Sequence, residues 1–191
     1  MMRTLALGLG GIILAGAVFA DDAAGDPEAG RALAGQCRTC HGIDGYAKIP
    51  IAPHIGGEQA AYLAAQLTAF RDGTRVHEMM SVVAKSLTDD QISDLAAWYA
   101  SQHATATVTA DVSGAPEACV SCHGVDGIGV MDGVPNLAGE TNIYIDTQLH
   151  AFRNGKRTHD IMSAVAAEMT DTEIRAVADW YASVQLEISQ N

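Results

Sequence analysis

"CRTCHGIDG" (residues 37–45) and "CVSCHGVDG" (residues 119–127) decide the fold. All four cysteines of the 191-residue chain lie in these two stretches, each pair in the frame Cys-x-x-Cys-His. Working outward from them, the sequence aligns with itself without a gap at an offset of 82. The match runs from Cys37 to Ser101, and about 30 of 65 positions are identical. "AFRDGTRVHEMMSVVA" lies over "AFRNGKRTHDIMSAVA", and "LTDDQISDLAAWYAS" over "MTDTEIRAVADWYAS". Agreement at this level marks a duplication, two copies of one module of roughly 80 residues. It also acts as a filter, because a residue that both modules need should occur in both.

The modules read as helical. Asp26 before Pro27 is a helix start, an N-cap followed by proline in the first turn. That helix is expected to run through "PEAGRALAGQ" into Cys37. A second helix is expected from Glu58 to Arg71, with Leu63, Leu67 and Phe70 on one face and Gly73 ending it. Its copy spans Glu140 to Arg153 and ends at Gly155. The last helix opens with a capping box in both copies, Thr88 with Gln91 and Thr170 with Glu173. Ile92, Leu95, Ala96 and Tyr99 then recur at helical spacing, as do Ile174, Val177, Ala178 and Tyr181. No stretch reads as a strand, so the expected class is all-α. Residues 21–101 and 117–191 are the two domains, and 102–116 is a linker. The loop between Gly42 and Gly57 is long for so small a module. Short helices, much alanine and few aromatics leave each core poor, so a large apolar group is expected to fill it.

The first 20 residues, "MMRTLALGLGGIILAGAVFA", have the layout of a secretory signal peptide, with cleavage expected after Ala20. The apolar run is shorter than the roughly 20 residues of a bilayer span. This implies export to the periplasm. Net charge is −12, and both halves are acidic, with 11 acids against 6 bases over residues 21–101 and 12 against 4 over 102–191. Nucleic acid is therefore not an expected partner, since phosphate binding needs clustered Lys and Arg. A redox protein with a basic docking surface is, and peripheral membrane association stays open.

Three chemistries compete for Cys-x-x-Cys-His. A thioredoxin-like dithiol belongs near a strand–helix–strand unit, which this sequence lacks. Zinc needs four ligands, and adjacent Cys40 and His41 converge poorly on one tetrahedral ion. Covalent haem attachment fits best. Cys37 and Cys40, and again Cys119 and Cys122, would add to the two vinyl groups of a haem as thioethers, with His41 and His123 ligating iron. For the second axial ligand the duplication leaves two matched pairs, Met80 with Met162 and His77 with His159. Thioether ligation suits an electron carrier because soft, neutral sulfur favours ferrous iron. His77 and His159 lie in charged loops and read as solvated or near a haem carboxylate.

With "CRTCHGIDG", "APHIGGEQAAYLAAQLTAFRDGTR", "MMSVVAKSLTDDQISDLAAWYA" and their repeats, nearly the whole chain after the leader resembles the two-haem cytochrome c4 family. The resemblance implies two tandem cytochrome c-like helical domains, each wrapped around a covalently attached haem c with His and Met ligands. The two domains would be related by an approximate two-fold axis. It places the axial methionine seven positions before the leucine that opens the last helix. Met80 and Leu87 fit, while Met169 replaces that leucine after Met162. It gives Pro53 and Pro135, each twelve positions after its haem histidine, a carbonyl that accepts the proton of the other ring nitrogen. Arg75 and Arg157 become candidates to pair with haem propionates. Trp98 and Trp180 read as packing residues. Gly30 fits a close contact of first and last helices. The second module has no match for it, so its first helix is expected to be shorter or irregular.

The reading is a dihaem electron-transfer protein and not an enzyme, passing electrons from respiratory donors to an acceptor such as a terminal oxidase. The chief alternative is a haem-bearing subunit of a sulfide, thiosulfate or alcohol dehydrogenase. A dihaem peroxidase would require an open iron.

Overall fold

The computed structural model describes residues 25–190, and the expected leader lies outside the described residues. Asp26 caps α1 (Pro27–Leu33), its carboxylate accepting from the Glu28 amide at 2.8 Å. The helix stops before Gln36, where a 3-10 turn over Ala34–Gln36 delivers the chain to Cys37 and the single turn of α2 (Arg38–His41). Then follow α3 (Ala60–Asp72), α4 (Met80–Ala84) and α5 (Asp89–Ala100). Gly30 is where α1 crosses α5, and a Cβ there would lie 1.9 Å from the Asp94 carbonyl oxygen. The second module has only a 3-10 turn, Val112–Gly114, before α6 (Glu117–His123), and so lacks a helix matching α1. Its remaining helices are α7 (Asn142–Arg153), α8 (Asp160–Ala167) and α9 (Asp171–Ala182).

Each module has its own core. Leu63 and Phe70 of α3 pack against Ile92, Leu95 and Tyr99 of α5, and Ile145 and Leu149 of α7 pack against Ile174, Val177 and Tyr181 of α9. Both capping boxes form. Arg71 ties the end of α3 to the start of α5 by donating to the Leu87 carbonyl and Asp89, and Arg153 repeats this with Met169 and Asp171. Met169 thus keeps both the core contact and the carbonyl of the leucine it replaces.

The expectation of no strands is corrected. The segment 102–116, expected to be a linker, begins with β1 (Gln102–Thr107), which pairs antiparallel with β2 (Gln185–Gln190). Ala104 and Ala106 alternate with exposed neighbours, as do Leu186 and Ile188. That period is hard to see in the sequence because alanine supplies the apolar half of β1. Each strand directly follows the last helix of its module, so the ribbon joins the two halves. It also packs on the loops before α3 and α7. Gly57 (φ 76°) would push a Cβ to 2.5 Å from that of Ala104, and Gly139 (φ 66°) to 2.6 Å from that of Leu186. Both the left-handed backbone and the close approach require glycine there.

α3 and α7 begin two residues later than expected. The residues before them, Glu58 and Gln59 with Glu140 and Thr141, reach into the opposite module. Gln59 holds the Met131 and Val134 carbonyls and the Gly133 amide, while the Thr141 hydroxyl donates to the Pro50 carbonyl. The modules therefore grip each other reciprocally, as an approximate two-fold relation demands.

Candidate haem centres

His41 and His123 end α2 and α6, and both are buried, at 7% exposure. The Nδ1 of His41 donates to the Pro53 carbonyl at 2.9 Å, and that of His123 to the Pro135 carbonyl at 2.9 Å. A carbonyl can only accept, so Nδ1 carries the proton and Nε2 is left with the lone pair that a metal needs. Burial pushes both imidazoles below their ordinary value, and this favours the neutral, ligating form. The helical turns bring Cys40 and Cys122 beside these rings. The four thiols form no disulfide, and burial pushes those of Cys37 and Cys119 up.

Met80 packs on the first core with Cys37, and Met162 packs on the second with Cys119. Met79 beside Met80 is exposed. His77 and His159 are exposed, as expected of solvated side chains, and each also has a structural role. The Nδ1 of His77 accepts from the Met79 and Met80 amides at 3.3 and 3.4 Å, and that of His159 from the Ile161 and Met162 amides at 3.3 Å. The His77 and His159 amides in turn donate to the Ser81 and Ser163 hydroxyls at 3.0 and 2.9 Å. These rings close the turn that carries the methionine in each module.

Arg75 and Arg157 meet at the module boundary. Arg75 donates to Gln66 at 2.6 Å and to Gln148 at 2.8 Å, and Arg157 donates to Gln148 at 2.8 Å and to Gln66 and Tyr62 at 3.1 Å. Each guanidinium lies 4.5 Å from a phenylalanine ring, Phe70 or Phe152. Desolvation, chiefly, lowers the pKa of Arg75. Among the described residues no carboxylate pairs with either arginine. Two partly buried like charges without a counter-ion suit an anionic group such as a propionate.

Family models fit both halves. The description "Cytochrome c" matches residues 27–102, and "Cytochrome C oxidase, cbb3-type, subunit III" matches residues 111–180. Cytochrome c4 of Pseudomonas aeruginosa is 32% identical over 177 residues, 83% of this chain and 88% of that protein. The chain belongs to the cytochrome c4 family. The crystal structure of reduced cytochrome c4 from Pseudomonas stutzeri superposes with a TM-score of 0.75 at 30% identity, over 85% of this chain and all of that one. A protein of Thiomonas intermedia named thiosulfate dehydrogenase electron acceptor is 34% identical, over 97% of this chain and 93% of its own length. Like other cytochromes c4, this chain is a dihaem electron-transfer cytochrome. Its Cys37/Cys40 and Cys119/Cys122 motifs fit two covalently bound haem c groups.

Sequence reasoning missed four partners. Tyr99 and Tyr181 donate to the Gly42 and Gly124 carbonyls behind the haem motifs. Both lie at the offset of 82, so the duplication filter would have found them had it been applied beyond histidine and methionine. The same holds for the buried Glu58 and Glu140. Trp98 and Trp180, expected to be packing residues, are buried and also donate to the Ile43 and Val125 carbonyls.

Proposed function

We propose that the protein is a periplasmic carrier in which His41 with Met80, and His123 with Met162, hold the two irons. The haem supplies the one-electron chemistry. The observation that carries the reading is the pair of His–Pro bonds. In both modules the ring is buried, its Nδ1 proton is spent on a proline carbonyl, and a methionine lies on the same core as the first cysteine. The Nδ1 bonds fix ring orientation and raise ligand basicity. Arg75 and Arg157 offer their charge to propionates where the modules meet. With a histidine and a methionine of the chain holding each iron, substrate would have no place at the metal.

The acidic surface, net −12, supports a redox partner with a basic docking face. No helix among the described residues is long and apolar enough to cross a membrane. Met80→Ala and Met162→Ala should each remove about half of the weak sulfur-to-iron absorption of the oxidised protein. If both variants keep the band whole, the ligand assignment is wrong.

A second reading is favoured by particular relatives. One is the thiosulfate dehydrogenase electron acceptor of Thiomonas intermedia. Another is the solved thiosulfate dehydrogenase of Marichromatium purpuratum, whose structure superposes on 83% of this chain with a TM-score of 0.72, although the chain accounts for only 40% of that one. On this reading the chain accepts electrons from such an enzyme. Reduction by a thiosulfate dehydrogenase in a stopped-flow experiment tests it, and a failure of reduction at low salt argues for the free carrier.

A further inference from the structure

Glu58 and Glu140 occupy matching positions, 5% and 3% exposed, at the point where the modules meet. The carboxyl of Glu58 accepts from the Asn136 amide at 3.0 and 3.1 Å. The carboxyl of Glu140 lies against the His54 amide, and its Oε2 has no hydrogen-bond partner. His54 N–H and Pro53 C=O belong to a single peptide group, and that carbonyl is the one to which His41 donates. Asn136 N–H and Pro135 C=O likewise form one group, bonded to His123. Glu58 thus lies at the end of a two-bond relay, through one rigid peptide plane, to the haem histidine of the opposite module, and Glu140 faces the matching peptide of the other relay.

We propose that Glu140 is a positioning residue tuning the haem held by His41, and Glu58 one tuning the haem held by His123. A peptide whose N–H is held by an anionic acceptor has a more negative carbonyl oxygen, because hydrogen bonds in a chain polarise one another. That carbonyl draws harder on the imidazole proton and makes the ring a stronger donor to iron, which favours the ferric state. Control is therefore crossed, with each redox centre adjusted by a side chain from the other half. The low-dielectric setting makes the effect large for so few atoms. The titratable groups facing the pair are the two glutamates themselves, His54 and Tyr144. Burial pushes Glu58 up to about 8, and burial followed by the charge of Glu58 pushes Glu140 well above the usual carboxyl range.

The inference rests on His41 and His123 being iron ligands. Potentiometric titration of the holoprotein from mildly acidic to alkaline pH, with the haems distinguished by the NMR signals of their histidines, tests it. In the parent protein both potentials should fall as pH rises through the range where the glutamates ionise. Glu140→Gln should flatten the fall for the haem of His41 while the other haem keeps its fall. Glu58→Gln should flatten the fall for the haem of His123 while that of the other haem moves to lower pH, because the charge of Glu58 no longer raises Glu140. A fall that persists in both variants, that flattens for both haems alike, or that flattens for the glutamate's own module overturns the proposal. Should a variant not assemble, the ring N–H resonances of His41 and His123 in the reduced parent protein decide. They should move with pH in step with the potentials, and resonances that stay still overturn the relay. Failure of the ligand reading would look different, since the histidine rings would then show no haem-shifted signals at any pH.

Discussion

At the scale of single residues, His54 and Asn136 show how an alignment can hide an equivalence. They differ in type, so the matched pairs of the duplication do not include them. Yet His54 accepts from the Ala47 amide at 3.0 Å and donates from Nε2 to the Gly139 carbonyl at 3.0 Å. Asn136 accepts from the Gly129 amide at 3.0 Å and donates to the Gly57 carbonyl at 3.1 Å. One acceptor and one donor at similar spacing are all that the position needs, and the two side chains supply them equally. The histidine alone adds a pH dependence. Burial, first of all, pushes its imidazole below the ordinary 6.5. The unfolded chain then binds the proton more tightly than the folded one. The contribution to stability is complete above about pH 6.5 and is lost as pH falls toward the lowered value. Protonation would also turn an N–H against the Ala47 amide. His54→Asn should therefore flatten the acid side of the melting temperature profile of the holoprotein while leaving neutral stability nearly unchanged. An acid limb identical to that of the parent would disprove this role.

At the scale of elements, helix ends were legible because capping is local. Asp26, Thr88 and Thr170 each act within three residues of themselves. Thr88→Ala and Thr170→Ala should each cost about 1 kcal/mol in thermal unfolding, without moving either reduction potential. The starts of α3 and α7 were misplaced because Glu58 and Glu140, good helix formers by propensity, are drawn across the module boundary instead. The strands were missed because alanine carries the inward face of β1. Gly57→Ala measures the ribbon's hold on the loop. It forces a side chain into a left-handed conformation and against Ala104, whereas Gly73→Ala, at φ 80° with nothing within 4 Å, meets only the first penalty. Both should destabilise by about 1 kcal/mol or more. Gly57→Ala should cost clearly more and should speed hydrogen exchange at the strand amides, and equal costs would show that the ribbon contact is unimportant.

At the scale of the whole molecule, the two modules behave as one unit because their polar groups are shared. Gln66 and Gln148 each accept from both Arg75 and Arg157. Truncating one arginine therefore weakens the site of the other. A double-mutant cycle with Arg75→Ala and Arg157→Ala should give a coupling energy of about 0.5–3 kcal/mol in thermal or denaturant unfolding, against nearly additive losses for separate modules. Glu58 adds a pH dependence to the same boundary. Its carboxyl is raised to about 8, so its contribution is complete below about pH 4.5 and is lost as pH rises through 8. Glu58→Gln should remove that part of the decline between about pH 4.5 and 8, and an unaltered decline would place its cause elsewhere. The sequence by itself determined the duplication, the main helices of each module, the number of haem attachment points and the short list of candidate iron ligands. All of these follow from spacing within a few residues or from comparison of one copy with the other. Only the tertiary structure decided what lies between the copies: the crossed glutamates, the arginine–glutamine cluster and the ribbon of β1 and β2. Those contacts join residues about 70–95 positions apart. Their pairing depends on how one module is rotated against the other, and no periodicity along a single chain encodes that rotation.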